Sequence, residues 1–126
     1  MELKNIQSET IIPIEESIVD GVYTRIAYAP ANCYIIGCEH IKGGTSVLLK
    51  GRIKQIDGVN EYEIAAPCIF NTSAGSQRLA YTIEDTVYAT MHSTSKNSCI
   101  DAIEELFIGI PQIKRIQDSF RALQLP

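Results

Sequence analysis

The sequence lacks the features that general nucleic-acid binding requires. Its 126 residues contain no run of lysine or arginine, and 11 basic side chains stand against 15 acidic ones, giving a formal net charge of −4. A nucleic-acid binder needs a basic stripe that contacts phosphates, so this class is excluded. Tryptophan is absent, and we expect the six tyrosines and three phenylalanines in the core and rim of the fold. An anionic ligand can still be held locally.

Long hydrophobic runs are also missing. No apolar stretch comes near the ~20 residues of a membrane span. The N-terminus carries Glu2, Glu9, Glu15 and Glu16 where a secretory signal has a basic region followed by an apolar one. We therefore expect a cytoplasmic protein without membrane contact.

The cysteines show no pattern typical of a disulfide framework or a zinc site. None of the four, Cys33, Cys38, Cys68 and Cys99, forms a C-x-x-C pair, and Cys33 and Cys68 stand beside apolar residues such as Ile35 and Ile69. In a reducing compartment they are expected to be free thiols that act as small hydrophobic residues.

Short β-type segments fill the middle of the chain. Residues 22–28 are rich in β-branched and aromatic side chains, and residues 52–56 and 59–64 flank Asp57-Gly58, a dipeptide typical of a two-residue hairpin turn. Seven to nine such segments follow one another with turn signals between most of them. The pattern predicts an antiparallel sandwich or barrel, because a parallel sheet would need helices between its strands.

The two ends differ from this middle part. We interpret residues 1–20 as an N-terminal arm with one or two edge strands, 21–95 as the barrel, and 96–126 as a helical segment. Ser98 and Asp101 have the spacing of a helix cap. Two short amphipathic helices are predicted, the second beginning near Pro111, and their apolar stripes are Ile100, Ile103 and Phe107, then Ile113, Ile116 and Phe120.

Residues 21–92 also carry a series of short motifs in a fixed order: Gly21-Val22-Tyr23-Thr24-Arg25, Pro30-Ala31, Gly37-Cys38-Glu39-His40, Leu49-Lys50-Gly51, Ala66-Pro67, Gly75-Ser76-Gln77-Arg78 and Glu84-Asp85-Thr86-Val87. In order and spacing these resemble the small RmlC-like cupins of bacteriophages and prophages. Residues 101–104 resemble that family's helix. The resemblance implies a mainly β fold, a cupin-type double-stranded β-helix or jelly-roll barrel.

The resemblance also locates the positions at which cupins bind a metal. Laid over this chain, the two cupin motifs put the ligand positions at Cys38, His40, Gly44 and Arg78. His40 is retained and Cys38 can ligate as a thiolate, but Gly44 has no side chain and Arg78 is a permanent cation that repels a metal. We therefore expect no metal and no other cofactor.

Arg78 is the first candidate ligand-binding residue. At the overlaid position its guanidinium enters the barrel and offers donors suited to a carboxylate or phosphate. The structural alternative is an ion pair with Glu39, Glu84 or Asp85 at the barrel mouth.

His40 and His92 are the only imidazoles and so the simplest candidates for proton transfer near neutral pH. Cupin-fold sugar epimerases pair a histidine base with a tyrosine acid, and Tyr34, Tyr81 or Tyr88 can complete such a pair with His40. The same tyrosines and His40 are candidate ligand-binding residues beside Arg78. The alternative for either histidine is a hydrogen-bonded residue of the barrel wall.

Three hypotheses for function follow. The first is a metal-free, non-enzymatic cupin of phage type that acts as an oligomeric binding or virion-associated assembly protein. The second is capture of a small anionic metabolite or nucleotide in the barrel or between subunits, and the third is a metal-independent sugar epimerase or isomerase. We expect a homo-oligomer formed through the apolar segment around residues 11–18 and the stripe that ends at Phe120.

Overall fold

Two antiparallel sheets make up most of the chain. A computed structural model describes residues 8–36, 39–57, 60–76, 78–108 and 121–124. Its strands are β1 (Ser8–Ile11), β2 (Ile14–Val19), β3 (Val22–Ala29), β4 (Cys33–Ile36), β5 (Glu39–His40), β6 (Gly44–Lys50), β7 (Arg52–Asp57), β8 (Asn60–Ala65), β9 (Cys68–Thr72), β10 (Leu79–Thr82), β11 (Thr86–Ser93), β12 (Phe107–Ile108) and β13 (Arg121–Gln124). Helix α1 (Cys99–Leu106) lies between β11 and β12.

The strand order places sequence-distant segments side by side. One sheet has six strands in the order β1-β13-β4-β10-β7-β8, the second has five in the order β2-β3-β11-β6-β9, and β12 pairs with β5 in a short third sheet. All the pairings are antiparallel. The prediction of a mainly β, antiparallel barrel is thus confirmed.

Strand β3 shows how the sequence builds the barrel wall. Its burial alternates, and Tyr23, Arg25, Ala27 and Ala29 point inward. Successive side chains of a strand point to opposite faces, so one strand supplies every second residue to the interior. Two of these inward residues are alanines and one is an arginine, so the interior is neither filled nor wholly apolar.

The hairpin predicted around Asp57-Gly58 forms with a different register. Strands β7 and β8 pair, and Asp57 lies opposite Asn60. The pairing ends one position later than the predicted turn implies, and residues 58 and 59 lie outside the described residues. Ile56 now lies opposite Glu61, two positions further along β8 than the predicted turn implies, so the same faces of the two strands still pair.

The N-terminal segment contributes one strand to the edge of each large sheet, in agreement with the predicted edge strands. Its predicted role in forming a homo-oligomer stays a prediction. Ile12 is fully buried with Ala27, Ala29 and Cys33, and Ile14 packs against that cluster. Ile18 packs against a second cluster, so these side chains help to cover their own barrel.

The first of the two predicted helices is α1, and the second falls on residues 109–120, outside the described part. Ser98 caps α1 as expected, its Oγ accepting from Asp101 N at 3.2 Å. The predicted stripe is wrong in part, because Ile100 is exposed and Phe107 belongs to β12, while Ala102, Ile103 and Leu106 are buried. Strand β13, which pairs with β1 and β4, was not predicted. No helix in the described residues is long and apolar enough to cross a membrane.

Candidate functional site

A cavity of about 50 Å³ lies between the two large sheets. Its lining has an apolar part from both sheets and a polar part: Ala27, Ala29, Ile35, Ile53 and Ala80, then His40, Gln55, Thr72, Arg78, Thr86, Tyr88 and Thr90. A water molecule needs roughly 10–15 Å³ of such space, so the cavity has room for a few water-sized groups. The barrel interior therefore has space for a small molecule and for polar contacts with it.

Strand register explains why the polar residues gather. Thr90 of β11 lies opposite Arg25 of β3 on one side and Ser46 of β6 on the other. Ser46 Oγ and Thr72 Oγ1 share a hydrogen bond of 2.7 Å between β6 and β9. Side chains on neighbouring strands of one face lie within contact distance, so these pairings form a polar row across the five-stranded sheet.

Arg78 lines the cavity and is held by neutral groups. Its Nη1 donates to Thr72 Oγ1 at 3.4 Å, its Nη2 donates to the carbonyl of Asn71 at 3.3 Å, and the guanidinium lies over the ring of Phe70, 5.2 Å from its centre. Among the side chains described, no carboxylate forms an ion pair with it, so the alternative pairing with Glu84 or Asp85 is not formed. Among the described side chains its charge is thus oriented but not neutralised, and the side chain of Glu39 lies outside that set.

Tyr88 and Thr90 bring two hydroxyl groups to the same cavity. The ring of Tyr88 contacts that of Phe70, with 6.0 Å between ring centres. Burial raises the pKa of Tyr88, and contacts with Ser46 and Arg78 oppose this rise, so the phenol is neutral at pH 7. Thr90 is buried, and its Oγ1 has no hydrogen-bond partner in the described part of the chain. An unsatisfied buried hydroxyl costs stability, which indicates that a ligand or water completes it.

The two histidines, distant in sequence, form a buried pair. His40 Nδ1 and His92 Nε2 are 2.9 Å apart, and the rings stack with 5.0 Å between centres. Phe107 packs edge-on against both rings. The partner of His40 is thus another imidazole and not a carboxylate that would strengthen it as a base.

Burial keeps both histidines of this pair neutral at pH 7. Burial lowers the pKa of His40 to about 4, with further lowering by His92 and by Arg78. Burial also lowers the pKa of His92, assisted by Lys42. Proton transfer at neutral pH is best served by a group whose pKa lies near 7. The pair is therefore poorly suited to general base chemistry and better suited to neutral hydrogen bonding.

Two predicted ligand-binding residues lie apart from this group. Tyr34 and Tyr81 stack with each other across β4 and β10, with 5.0 Å between ring centres. Each alternates with a cavity-lining neighbour, Ile35 or Ala80, so both point away from the interior. The hydroxyl of Tyr81 donates to Asn32 Oδ1 at 3.0 Å. Of the predicted site residues, the structure brings together Arg78, His40 and Tyr88, with His92 behind His40.

A second polar cluster in the barrel was missed by sequence reasoning. Arg25, only 1% exposed, donates from Nη1 to the hydroxyl of Tyr23 at 2.8 Å and forms an ion pair of 3.4 Å with Glu16. Tyr23 donates to the same Glu16 oxygen at 2.7 Å, and burial raises its pKa. The alternation of residues along β3 could have revealed this cluster, because it puts Arg25 on the same face as Tyr23 and Ala27.

The donor set at the expected cupin metal positions does not fit a metal. A Cβ placed on Gly44 would lie 2.6 Å from Cδ2 of His92, so the imidazole fills the space beside that glycine. Arg78 brings a positive charge, His40 Nδ1 is engaged by His92, and Cys38 lies outside the described residues. Within the described ranges no group of three or more histidine, cysteine, aspartate or glutamate side chains forms a metal cluster.

Comparison with solved structures identifies the fold. The chain superposes with a TM-score of 0.58 on an uncharacterised double-stranded β-helix protein from Klebsiella pneumoniae, at 12% identity over 69% of this chain and 75% of that one. The cupin domain of Schizosaccharomyces pombe Cnp3 gives a TM-score of 0.57 at 14% identity, covering 72% and 69%. This chain has a cupin fold. No family model and no curated protein sequence matches it.

The cupin fold itself leaves the activity open. The DMSP lyase DddQ from Ruegeria pomeroyi is also similar, with a TM-score of 0.54 at 10% identity over 70% of this chain and 49% of that one. Cupin-fold neighbours thus include an enzyme as well as proteins of unknown function. One fold supports many activities, so function has to be argued from the residues of this barrel.

Proposed function

We propose that this protein binds a small anionic molecule inside its barrel and that Arg78 receives the negative charge. The observation that supports this most is the position of Arg78, which lines the cavity and has only neutral groups around it in the described structure. Arg78 is half-buried and no described carboxylate pairs with it, so an anionic ligand would supply its counter-charge. Charge-assisted bonds to guanidinium are also about twice as strong as neutral ones.

The cavity favours ligand capture over a purely structural role. A barrel that only supports assembly would be expected to have an interior filled by its own side chains, whereas this one has free volume next to Thr90, a hydroxyl without a partner. Oligomeric assembly, association with a phage and a cytoplasmic location do not depend on this cavity and stay predictions.

The same geometry disfavours the epimerase alternative. A histidine base of that kind is usually oriented by a third group, and the ring of His40 contacts His92 and Phe107. Tyr88 is the one tyrosine of the predicted set that lines the cavity. We therefore propose binding without catalysis and without a metal at the barrel centre.

Native mass spectrometry of freshly purified protein tests the proposal. The wild-type protein is compared with Arg78→Met and with Arg52→Met, a control that removes a half-exposed arginine paired with Glu63 on the six-stranded sheet. We expect a non-covalent mass that disappears on denaturation, that is kept in Arg52→Met and that is lost in Arg78→Met. The same bound mass in both variants, or no anion binding by any of the three proteins in subsequent titrations, would overturn the proposal.

A further inference from the structure

We infer that the ligand is a monocarboxylate with a short aliphatic chain, an inference that rests on the proposed binding function. Three properties of the cavity support it: the net charge it presents, the hydrogen-bond donors beside Arg78, and the apolar wall opposite them.

The charge around the cavity matches a single negative charge. Arg78 is the one fixed cation among the described lining residues. Arg25, the other arginine in the interior, already has Glu16 as its counter-charge. His40 is neutral at pH 7 because its pKa is lowered to about 4. A dianion such as a phosphate monoester would thus keep one negative charge without a partner among the described lining residues, which is unfavourable inside the barrel.

The donors suit a planar carboxylate. Guanidinium presents parallel N–H groups that match the two oxygens of a carboxylate. Thr72 links Arg78 to Ser46, and Ser46 lies opposite Thr90 on β11, so the free hydroxyl of Thr90 belongs to the same polar row. Thr90 is only 2% exposed and lines the cavity, so its unpartnered oxygen is available to a ligand in the cavity and is shielded from bulk solvent.

The remaining wall suits a short apolar chain. Small side chains at Ala27, Ala29 and Ala80 leave the free volume, and Ile35 and Ile53 complete the apolar surface. A cavity of about 50 Å³ accepts only a few heavy atoms beyond the carboxylate, which is too little for a nucleotide. Each buried methylene should strengthen binding about fourfold until the space is filled.

Isothermal titration at pH 7 with acetate, propionate, butyrate, octanoate, inorganic phosphate and AMP tests this inference. We expect affinity to rise from acetate to butyrate by roughly fourfold per methylene, and to fall for octanoate. Arg78→Met should lose at least tenfold in affinity, while Arg52→Met should bind like the wild type.

Two variants separate the head and the tail of the ligand. Thr90→Val removes the free hydroxyl at nearly constant volume and should weaken all the short carboxylates equally. Ala80→Val reduces the apolar space and should weaken butyrate more than acetate, with circular dichroism and thermal unfolding to verify folding. Equal losses for both acids in Ala80→Val would contradict the proposed tail site.

The outcomes distinguish this inference from the proposed function. Arg78-dependent binding of phosphate or AMP, with no binding of the carboxylates, would overturn the monocarboxylate and leave anion binding in place. Binding that is absent for every anion, or that is the same in Arg78→Met and Arg52→Met, would overturn both.

Discussion

Arg25 and Arg78 enter the same barrel but lie in opposite environments. Arg25 is fully buried and contacts Glu16 and the hydroxyl of Tyr23 within 3.4 Å. Arg78 is half-buried and is held at 3.3–3.4 Å by a threonine hydroxyl and a backbone carbonyl. One arginine has its counter-charge within the protein, whereas the described surroundings of the other supply none.

This difference assigns a structural role to Arg25 and a binding role to Arg78. A buried ion pair is strongly destabilising to break, because removing one partner leaves an uncompensated charge. An arginine that is oriented by long, neutral hydrogen bonds contributes little to stability and keeps its charge available. We therefore expect substitutions of Arg25 to affect folding and substitutions of Arg78 to affect ligand binding.

The largest effect is expected from Arg25→Met. It leaves Glu16 and Tyr23 without their cation and should lower the free energy of unfolding by about 3–5 kcal/mol, measured by urea denaturation at pH 7. The double variant Glu16→Gln/Arg25→Met removes both charges and should recover part of that loss. If the free energy of unfolding of the single variant fell by less than about 1 kcal/mol, the cluster of Arg25, Glu16 and Tyr23 would not be a major source of stability.

Gly44→Ala tests the position of the histidine pair beside Arg78. The added methyl group would meet the carbonyl of Met91 at 2.5 Å and the ring of His92 at 2.6 Å, so we expect a loss of about 1–3 kcal/mol. Gly43→Ala is the matched control, since its nearest contact would be 3.1 Å from the carbonyl of Thr72. Equal losses in the two variants would argue against close packing of His92 on Gly44.

The pH dependence of stability reports on the neutral histidines. Because the pKa of His40 is lowered to about 4 in the folded protein, the unfolded chain binds more protons between pH 6.5 and 4. Stability should therefore decrease as the pH falls through this interval, by about 1.4 kcal/mol per unit at most for this group. Urea unfolding from pH 7 to pH 4 should show a shallower dependence in His40→Asn, and identical profiles would contradict the assignment.

The pKa of His40 also distinguishes the two arginines. Arg78 contributes to the lowering of the His40 pKa, and Arg25 is not among the causes. Arg78→Met should raise the titration midpoint of His40, followed by NMR of the imidazole protons. Arg52→Met, which changes a half-exposed residue of the six-stranded sheet, should leave it unchanged. A midpoint that does not respond to Arg78→Met would place the guanidinium away from His40.

The smallest effect is expected for the stability of Arg78→Met. Its two hydrogen bonds are long and its charge has no described counter-charge, so the free energy of unfolding should change by less than about 1 kcal/mol. Thermal unfolding without added anions provides the measurement. A loss of several kcal/mol would indicate that Arg78 is a structural residue like Arg25.

The sequence predicts the fold class from strand periodicity, and the helix cap at Ser98 from spacing alone. Those patterns are local, so they can be recognised without knowledge of the tertiary structure. His40 and His92 are 52 positions apart in sequence, so no local sequence pattern predicts that they form a pair. Tyr34 and Tyr81 were selected by residue type, and only the alternation with Ile35 and Ala80 shows that they point outward.

Arg78 is the intermediate case. Its place inside the barrel was implied by the cupin resemblance, and the structure agrees. Its neutral surroundings could not be predicted, because they depend on how Thr72 and Asn71 of β9 approach it. Arg25 was overlooked since an arginine in a strand is ordinarily assigned to the exposed face.

A titration of ¹⁵N-labelled protein with butyrate, followed through the side-chain Nε–H signals of the arginines, tests the central claim most directly. The account predicts that the Arg78 signal shifts with saturation while the Arg25 signal stays in place, and that Arg52 shows no saturable change. A saturable shift at Arg25 or Arg52 without one at Arg78 would contradict it.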